Sequence, residues 1–239
     1  MAIFTLTDCL VLHGGTSMTG DSTTLSGDRG ADIHDITPMG ATSRTKKGAL
    51  RQSSWSVSGH FNNANWSGPH GSVAAAAAPM TVVPAGNTAG NDAMLVETVV
   101  GLYKIGAAVG EVLPFEFTAE GLDPMVGGYL FEQTTKSAAA TTYTAGVELG
   151  ALTAGHIICA AAHVTAIAGT LPTIDFTIQS DADNNWASPE DRQALTQMVA
   201  VGGQWKEYST AQTDTWWRFK VVVDGTTPVI SYTVSMGLI

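Results

Sequence analysis

The chain has 239 residues, enough for one large β domain or two small ones, and only 13% of them are charged, against roughly 25% in ordinary soluble proteins. Its net charge of −10 excludes a basic nucleic-acid reader, which needs a positive footprint, but not a protein that surrounds DNA without gripping it. Residues 1–125 carry 6 basic and 11 acidic groups and residues 126–239 carry 5 and 10, so each half has a net charge of −5. A surface poor in charge and rich in Gly, Ala, Ser and Thr suits either a compact extracellular domain or a subunit that covers itself with copies of itself.

Taken in chain order, residues 3–13 alternate well enough for a first strand, ended by Gly14-Gly15. Weaker strands are expected at 22–26 and 33–37. From Met39 to Gln52 the alternation fails, and Arg44, Lys46, Lys47 and Arg51 place four of the 11 basic residues within eight positions; this reads as a basic loop. Strand character returns at 54–61, with Trp55, Val57 and Gly59 on one face. Residues 62–71 form a turn-rich loop holding Trp66. The formal sequon Asn65-Trp66-Ser67 sits there, in a chain whose opening residues lack the basic and apolar stretches of a secretory signal. Ala74–Ala78 could be one helical turn stopped by Pro79. Further strands are expected at 80–83, 94–105 and 109–120, and Gly121 to Pro124 closes the unit.

The second half has strand candidates at 127–134, 142–150, 156–167, 172–180, 192–200, 214–223 and 228–236. Ile174, Phe176 and Ile178 alternate with Asp175, Thr177 and Gln179, and Trp217, Phe219, Val221 and Val223 repeat the pattern; period two places alternate side chains on one face of a pleated strand. Short strands separated by Gly, Pro and Asp turns predict an all-β fold of two β-sandwich or jelly-roll-like units, 1–125 and 126–239, with at most short helices. No run of about 18 apolar residues suggests a membrane span.

Chemistry is hard to place. Of the six histidines, His156 and His163 lie seven apart in one strand-like run and would face opposite sides. His34 with Asp32 could share a face, as an ion pair or as part of a metal site. Cys9 and Cys159 lie in separate apolar runs and read as two buried free thiols, with a disulfide between the halves as the alternative. No nucleophile elbow or phosphate-binding glycine loop is present, so neither catalysis nor a cofactor nor a metal is expected. In Trp216-Trp217 one ring is expected in the core. The other would lie on a partner, under Arg218 or Lys220, or, together with Trp66 and Trp186, serve as a carbohydrate platform.

The tract 101–115 (Gly-Leu-Tyr-Lys-Ile-Gly-Ala-Ala-Val-Gly-Glu-Val-Leu-Pro-Phe) resembles a segment common in virion proteins of tailed bacteriophages, above all the tail-tube proteins. Residues 32–37 and the Trp-Ser-Val-Ser-Gly-His-Phe strand at 55–61 fit the same pattern, and 146–164, 179–189 and 214–218 resemble the second domain of such proteins. The resemblance implies a structural, non-enzymatic subunit of the virion, assembled in the host cytoplasm. It would form stacked homo-oligomeric rings, with other virion proteins as neighbours and DNA passing through unbound. It also implies that Met39, Arg44, Lys46, Lys47 and Arg51 reach the next ring, with Trp66 and Trp216 as further interface candidates. A capsid decoration or head–tail connector protein and a carbohydrate-binding β-sandwich are the alternatives.

Overall fold

The structure, a computed structural model, describes residues 9–39, 42–62, 70–73 and 75–239. The all-β expectation holds: among the described residues fourteen strands form one hydrogen-bonded sheet system in which every strand pair is antiparallel. In the first half these are β1 (Leu10–His13), β2 (Thr16–Ser17), β3 (Ser22–Asp35), β4 (Lys46–His60), β5 (Ala78–Val83), β6 (Asp92–Ile105) and β7 (Pro114–Gly121). In the second they are β8 (Val126–Lys136), β9 (Ala140–Tyr143), β10 (Val147–Glu148), β11 (Ile158–Asp181), β12 (Glu190–Ala194), β13 (Gly202–Tyr208) and β14 (Trp216–Leu238). Among the described residues of the alanine run, 75–78, there is no helix, and Ala78 already opens β5.

Several separately expected strands are fused. β11 joins the 156–167 and 172–180 candidates and β14 joins 214–223 and 228–236, so that two strands of 24 and 23 residues pair along their whole length, Ile158↔Leu238 through Asp181↔Trp216. The junction is a pair of matching tetrapeptides, Gly169-Thr170-Leu171-Pro172 and Gly225-Thr226-Thr227-Pro228, centred on the Thr170↔Thr226 pair where the register shifts. Gly169 and Gly225 take φ of 125° and 116°, and Leu171 and Thr227 take 50° and 48°. A Cβ on Gly169 would lie 2.8 Å from the Thr227 carbonyl oxygen, and one on Gly225 would lie 2.8 Å from that of Leu171. Both glycines are therefore required twice over, for φ and for close approach.

The double bulge turns the ribbon back on itself. Phe176, paired on the Asp181↔Trp216 side of the bulge, meets Tyr232, paired on its Ile158↔Leu238 side, at 5.3 Å between ring centroids, and Phe131 of β8 meets Phe219 at 5.5 Å. Strands that change sheets through a bulge are how a sandwich turns a corner. One core cluster accordingly draws only on residues 131–236, including Trp217, Phe219 and Tyr232. A second draws on residues 11–125, including Trp55, Val57 and Phe117. A third mixes the halves, with Leu10, Leu12, Val83 and Leu95 against Val126, Leu130, Cys159 and Ala161. β8 carries the sheet across this seam, pairing with β6 at Leu95↔Val126 through Asp92↔Tyr129 and with β14 on its other side.

Candidate functional site

The basic stretch is not a loop beyond Thr45. β3 and β4 form one long hairpin, from Ser22↔Gly59 out to Asp35↔Lys46, and β4 has β7 as its other neighbour only from Ser54 to His60. From Ser53 outward the hairpin is a two-stranded ribbon of roughly 25 Å, at about 3.3 Å per residue. Ser26 to Ile36 are all exposed, so neither face has a core to alternate against, which is why the sequence shows no period here. Ile33 and Ile36 are 65% and 51% exposed, and Met39 at the turn is fully exposed. Across the ladder Asp35 faces Lys46 and His34 faces Lys47. The Asp35 carboxylate also accepts from the Thr37 hydroxyl and backbone N–H, which lowers its pKa. Residues 28–51 hold five basic and three acidic side chains, so this arm carries +2 in a chain of −10.

The structure thus brings Met39, Arg44, Lys46, Lys47 and Arg51 together on the arm. Trp216 lies elsewhere, half-buried and paired with Asp181 and Glu148; Trp66 lies outside the described residues. At the opposite end of the β4–β7 ladder, where His60 pairs with Pro114, Ile105 at the end of β6 and Val109 and Val112 in the connection to β7 are exposed.

Of the tryptophan pair, Trp217 is the core ring, fully buried with its indole N–H donating to Gly150 O at 3.0 Å. Arg218 does not use Trp216. Its guanidinium carbon lies over both neighbouring rings, 4.2 Å from the Tyr143 centroid and 4.0 Å from that of Trp186. Arg218 Nε donates to Gln179 Oε1 at 2.9 Å. Gln179 Nε2 donates to Asp191 Oδ1 at 2.6 Å, and Lys220 Nζ reaches Asp191 Oδ2 at 2.9 Å. These bonds hold the Asp191 pKa low, the Gln179 bond contributing most.

Trp186 comes from the connection between β11 and β12, a stretch fixed by side chain to backbone bonds. Asp181 accepts from the N–H groups of Ala182 and Ser188, Asp183 accepts from that of Asn185, and Asn184 Oδ1 accepts the Trp186 indole N–H. Trp186 itself has φ of 54°, a conformation that costs a non-glycine residue roughly 1–2 kcal/mol. Gly146 lets the ring in, since a Cβ there would lie 2.5 Å from Trp186 Cζ2. The sequence offered Trp186 as part of a carbohydrate platform; Tyr143 and Gln179 were missed as its companions, because their meeting depends on strand order.

A second polar cluster lies in the seam between the halves. His163 is fully buried, with Nδ1 2.7 Å from Gly14 O and Nε2 2.7 Å from Thr81 Oγ1, which is itself 3.2 Å from Ser235 Oγ. A carbonyl can only accept, so Nδ1 carries the proton and Nε2 accepts from the Thr81 hydroxyl. Burial pushes the His163 pKa down to about 4, against the raising effect of the Gly14 bond and with a small further push from His13. His13, buried against Phe117, is also lowered to about 4 by burial. The imidazole and hydroxyls are sealed from solvent and tie the turn after β1 to β5, β11 and β14. His156 lies before β11, exposed and bonded to Thr153. Asp32 and His34 stand on the exposed arm, and among the described residues no three His, Cys, Asp or Glu side chains converge as a metal would require. A cleft of about 630 Å³ beside β1 is lined by hydroxyls and amides such as Ser17, Thr19, Asn87 and Gln133, with no acid–base pair. Among the described residues no helix is long and apolar enough to cross a membrane.

No family model matches the sequence, and no curated protein matches it. Among solved structures the chain is similar to the SPP1 Dit (gp 19.1) protein, described as a paradigm of the hub adsorption apparatus in phages infecting Gram-positive bacteria. The two share 11% identity over 97% of this chain and 99% of that one, at a TM-score of 0.38, too low to bear on function.

Proposed function

We propose that this chain is a structural subunit of a phage tail, in particular a tube subunit that assembles with its own copies into stacked rings around a DNA channel. Residues 1–125 would build the ring and 126–239 would form a second sandwich on it. The observation that carries the reading is the β3–β4 arm. A two-stranded ribbon with no buried face is marginal in water, and this one presents apolar Ile33, Ile36 and Met39 with the chain's only concentration of positive charge. A second copy, acidic overall, complements it. Ile105, Val109 and Val112 at the opposite end give each subunit two unlike apolar poles, the arrangement that produces head-to-tail contacts. The acidic remainder would repel the phosphate backbone, so that DNA slides without sticking. On this reading the protein belongs to the virion, borders other virion proteins, and needs neither catalysis nor a cofactor.

The test is sedimentation velocity at rising concentration on the wild type and on a variant in which residues 32–50 are replaced by Asn-Gly, a two-residue hairpin turn. Large assemblies formed by the wild type and lost in the shortened variant are expected. Equal assembly by both, or none by the wild type, refutes the assignment.

A further inference from the structure

The Tyr143–Arg218–Trp186 stack has a feature that the assembly reading leaves unused. Arg192, Lys136 and Lys220 all have carboxylate partners; Arg218, half-buried, has none among the described residues. Its Nε is committed to Gln179, while the Nη1 and Nη2 amino groups have no hydrogen-bond partner among the described residues. Of the two carboxylates whose charge reaches it, Asp181 is held by the Ala182 and Ser188 N–H groups and Asp191 by Gln179 and Lys220. The chain has therefore immobilised a planar cation over two rings, fixed its rotation through Nε, and left the two-donor end unsatisfied. It does so with Trp186 in a strained backbone conformation and with Gly146 where no larger residue fits. Local strain that positions a side chain beside an unused donor pair is what a ligand clamp requires.

We propose that this stack is a binding site for an acidic saccharide, a pyranose bearing a carboxylate. The carboxylate takes the Nη1 and Nη2 fork, whose spacing matches two carboxylate oxygens. The C–H face of the sugar packs on Tyr143, which is 51% exposed although one of its faces lies on Arg218. Lys220 stands directly opposite it on β14 and is a donor of the kind ring hydroxyls accept from. A flat ring face and an oriented guanidinium select for charge and ring together, which separates this ligand from a neutral sugar and from a bare anion. The proposal does not depend on assembly: the site lies on the second half, on elements distinct from the arm.

The experiment is calorimetric titration of the full chain with trigalacturonate, with the uncharged reduced trisaccharide and sodium acetate as controls. Variants are Arg218→Gln, Arg218→Lys and Tyr143→Ala, each checked for folding by near-UV dichroism. Saturable binding of trigalacturonate is expected, at least tenfold weaker for both controls. Arg218→Gln is expected to lose tenfold or more, Arg218→Lys to fail to restore it because an ammonium offers no fork, and Tyr143→Ala to weaken it while retaining the preference for charge. No saturation with trigalacturonate, equal binding by Arg218→Gln, or equal binding of the uncharged trisaccharide overturns the proposal. Self-association that Arg218→Gln abolishes, with no response to trigalacturonate, also overturns it and assigns the fork to a carboxylate of a second copy.

Discussion

Replacing His163 by Gln tests the seam between the halves. Gln reproduces both bonds, its amide N–H₂ donating to Gly14 O and its carbonyl accepting from Thr81, but it does not titrate. In the folded protein the His163 pKa is lowered from 6.5 to about 4, which at about 1.4 kcal/mol per pH unit corresponds to about 3 kcal/mol. Above about pH 6.5 both folded and unfolded chains hold the imidazole neutral and this contribution is fully present. As pH falls toward 4 the unfolded chain takes up a proton that the folded chain refuses, so stability drops; below about 4 the contribution is gone. Urea denaturation at about pH 7.5 and about pH 4.5 reads this directly. At neutral pH the variant should lie within about 1–2 kcal/mol of the wild type. At about pH 4.5 the wild type should have lost about 2.5 kcal/mol more than the variant. The residual slope shared by both includes His13, which has the same sign. A stability gap between wild type and variant that stays constant across the window refutes the burial and tautomer assigned to His163.

Gly225→Ala and Gly169→Ala should each destabilise by roughly 1–3 kcal/mol in chemical denaturation, through φ and through the carbonyl each Cβ would strike; Leu171→Gly should instead be neutral or stabilising by up to about 1 kcal/mol. Phe176→Ala, emptying the contact that closes the folded ribbon, should cost about 3–5 kcal/mol by the same measurement. Cys159, its thiol pushed up to about 12 chiefly by burial, should resist a disulfide reagent at about pH 8 until the protein unfolds, as read by thiol release in native buffer and in urea; rapid native labelling would place Cys159 outside the core.

What was legible in the sequence was whatever had one buried face. Ile174, Phe176 and Ile178, or Trp55 and Val57, announce their face by period two because a core waits on one side and water on the other. The arm was misread for the same physical reason: the facing strand is exposed from Ser26 to Ile36, and a ribbon without a core gives its strands nothing to alternate against. The two corner motifs were read as turns because Gly and Pro punctuate turns as well as bulges; that they sit opposite each other depends on pairing, which periodicity does not carry. β13 was missed because Gly202-Gly203 at its start and the polar Gln204, Lys206 and Glu207 hide an edge strand. The bond from Thr81 to His163, 82 residues apart, and the stack of Tyr143, Arg218 and Trp186 come from strand order alone.

The most direct measurement of the central claim is negative-stain microscopy of the purified chain at high concentration. Rings or hollow tubes of uniform width are expected, shortened or absent when the arm is trimmed. A persistent field of single small particles, with no higher species as concentration rises, would contradict it.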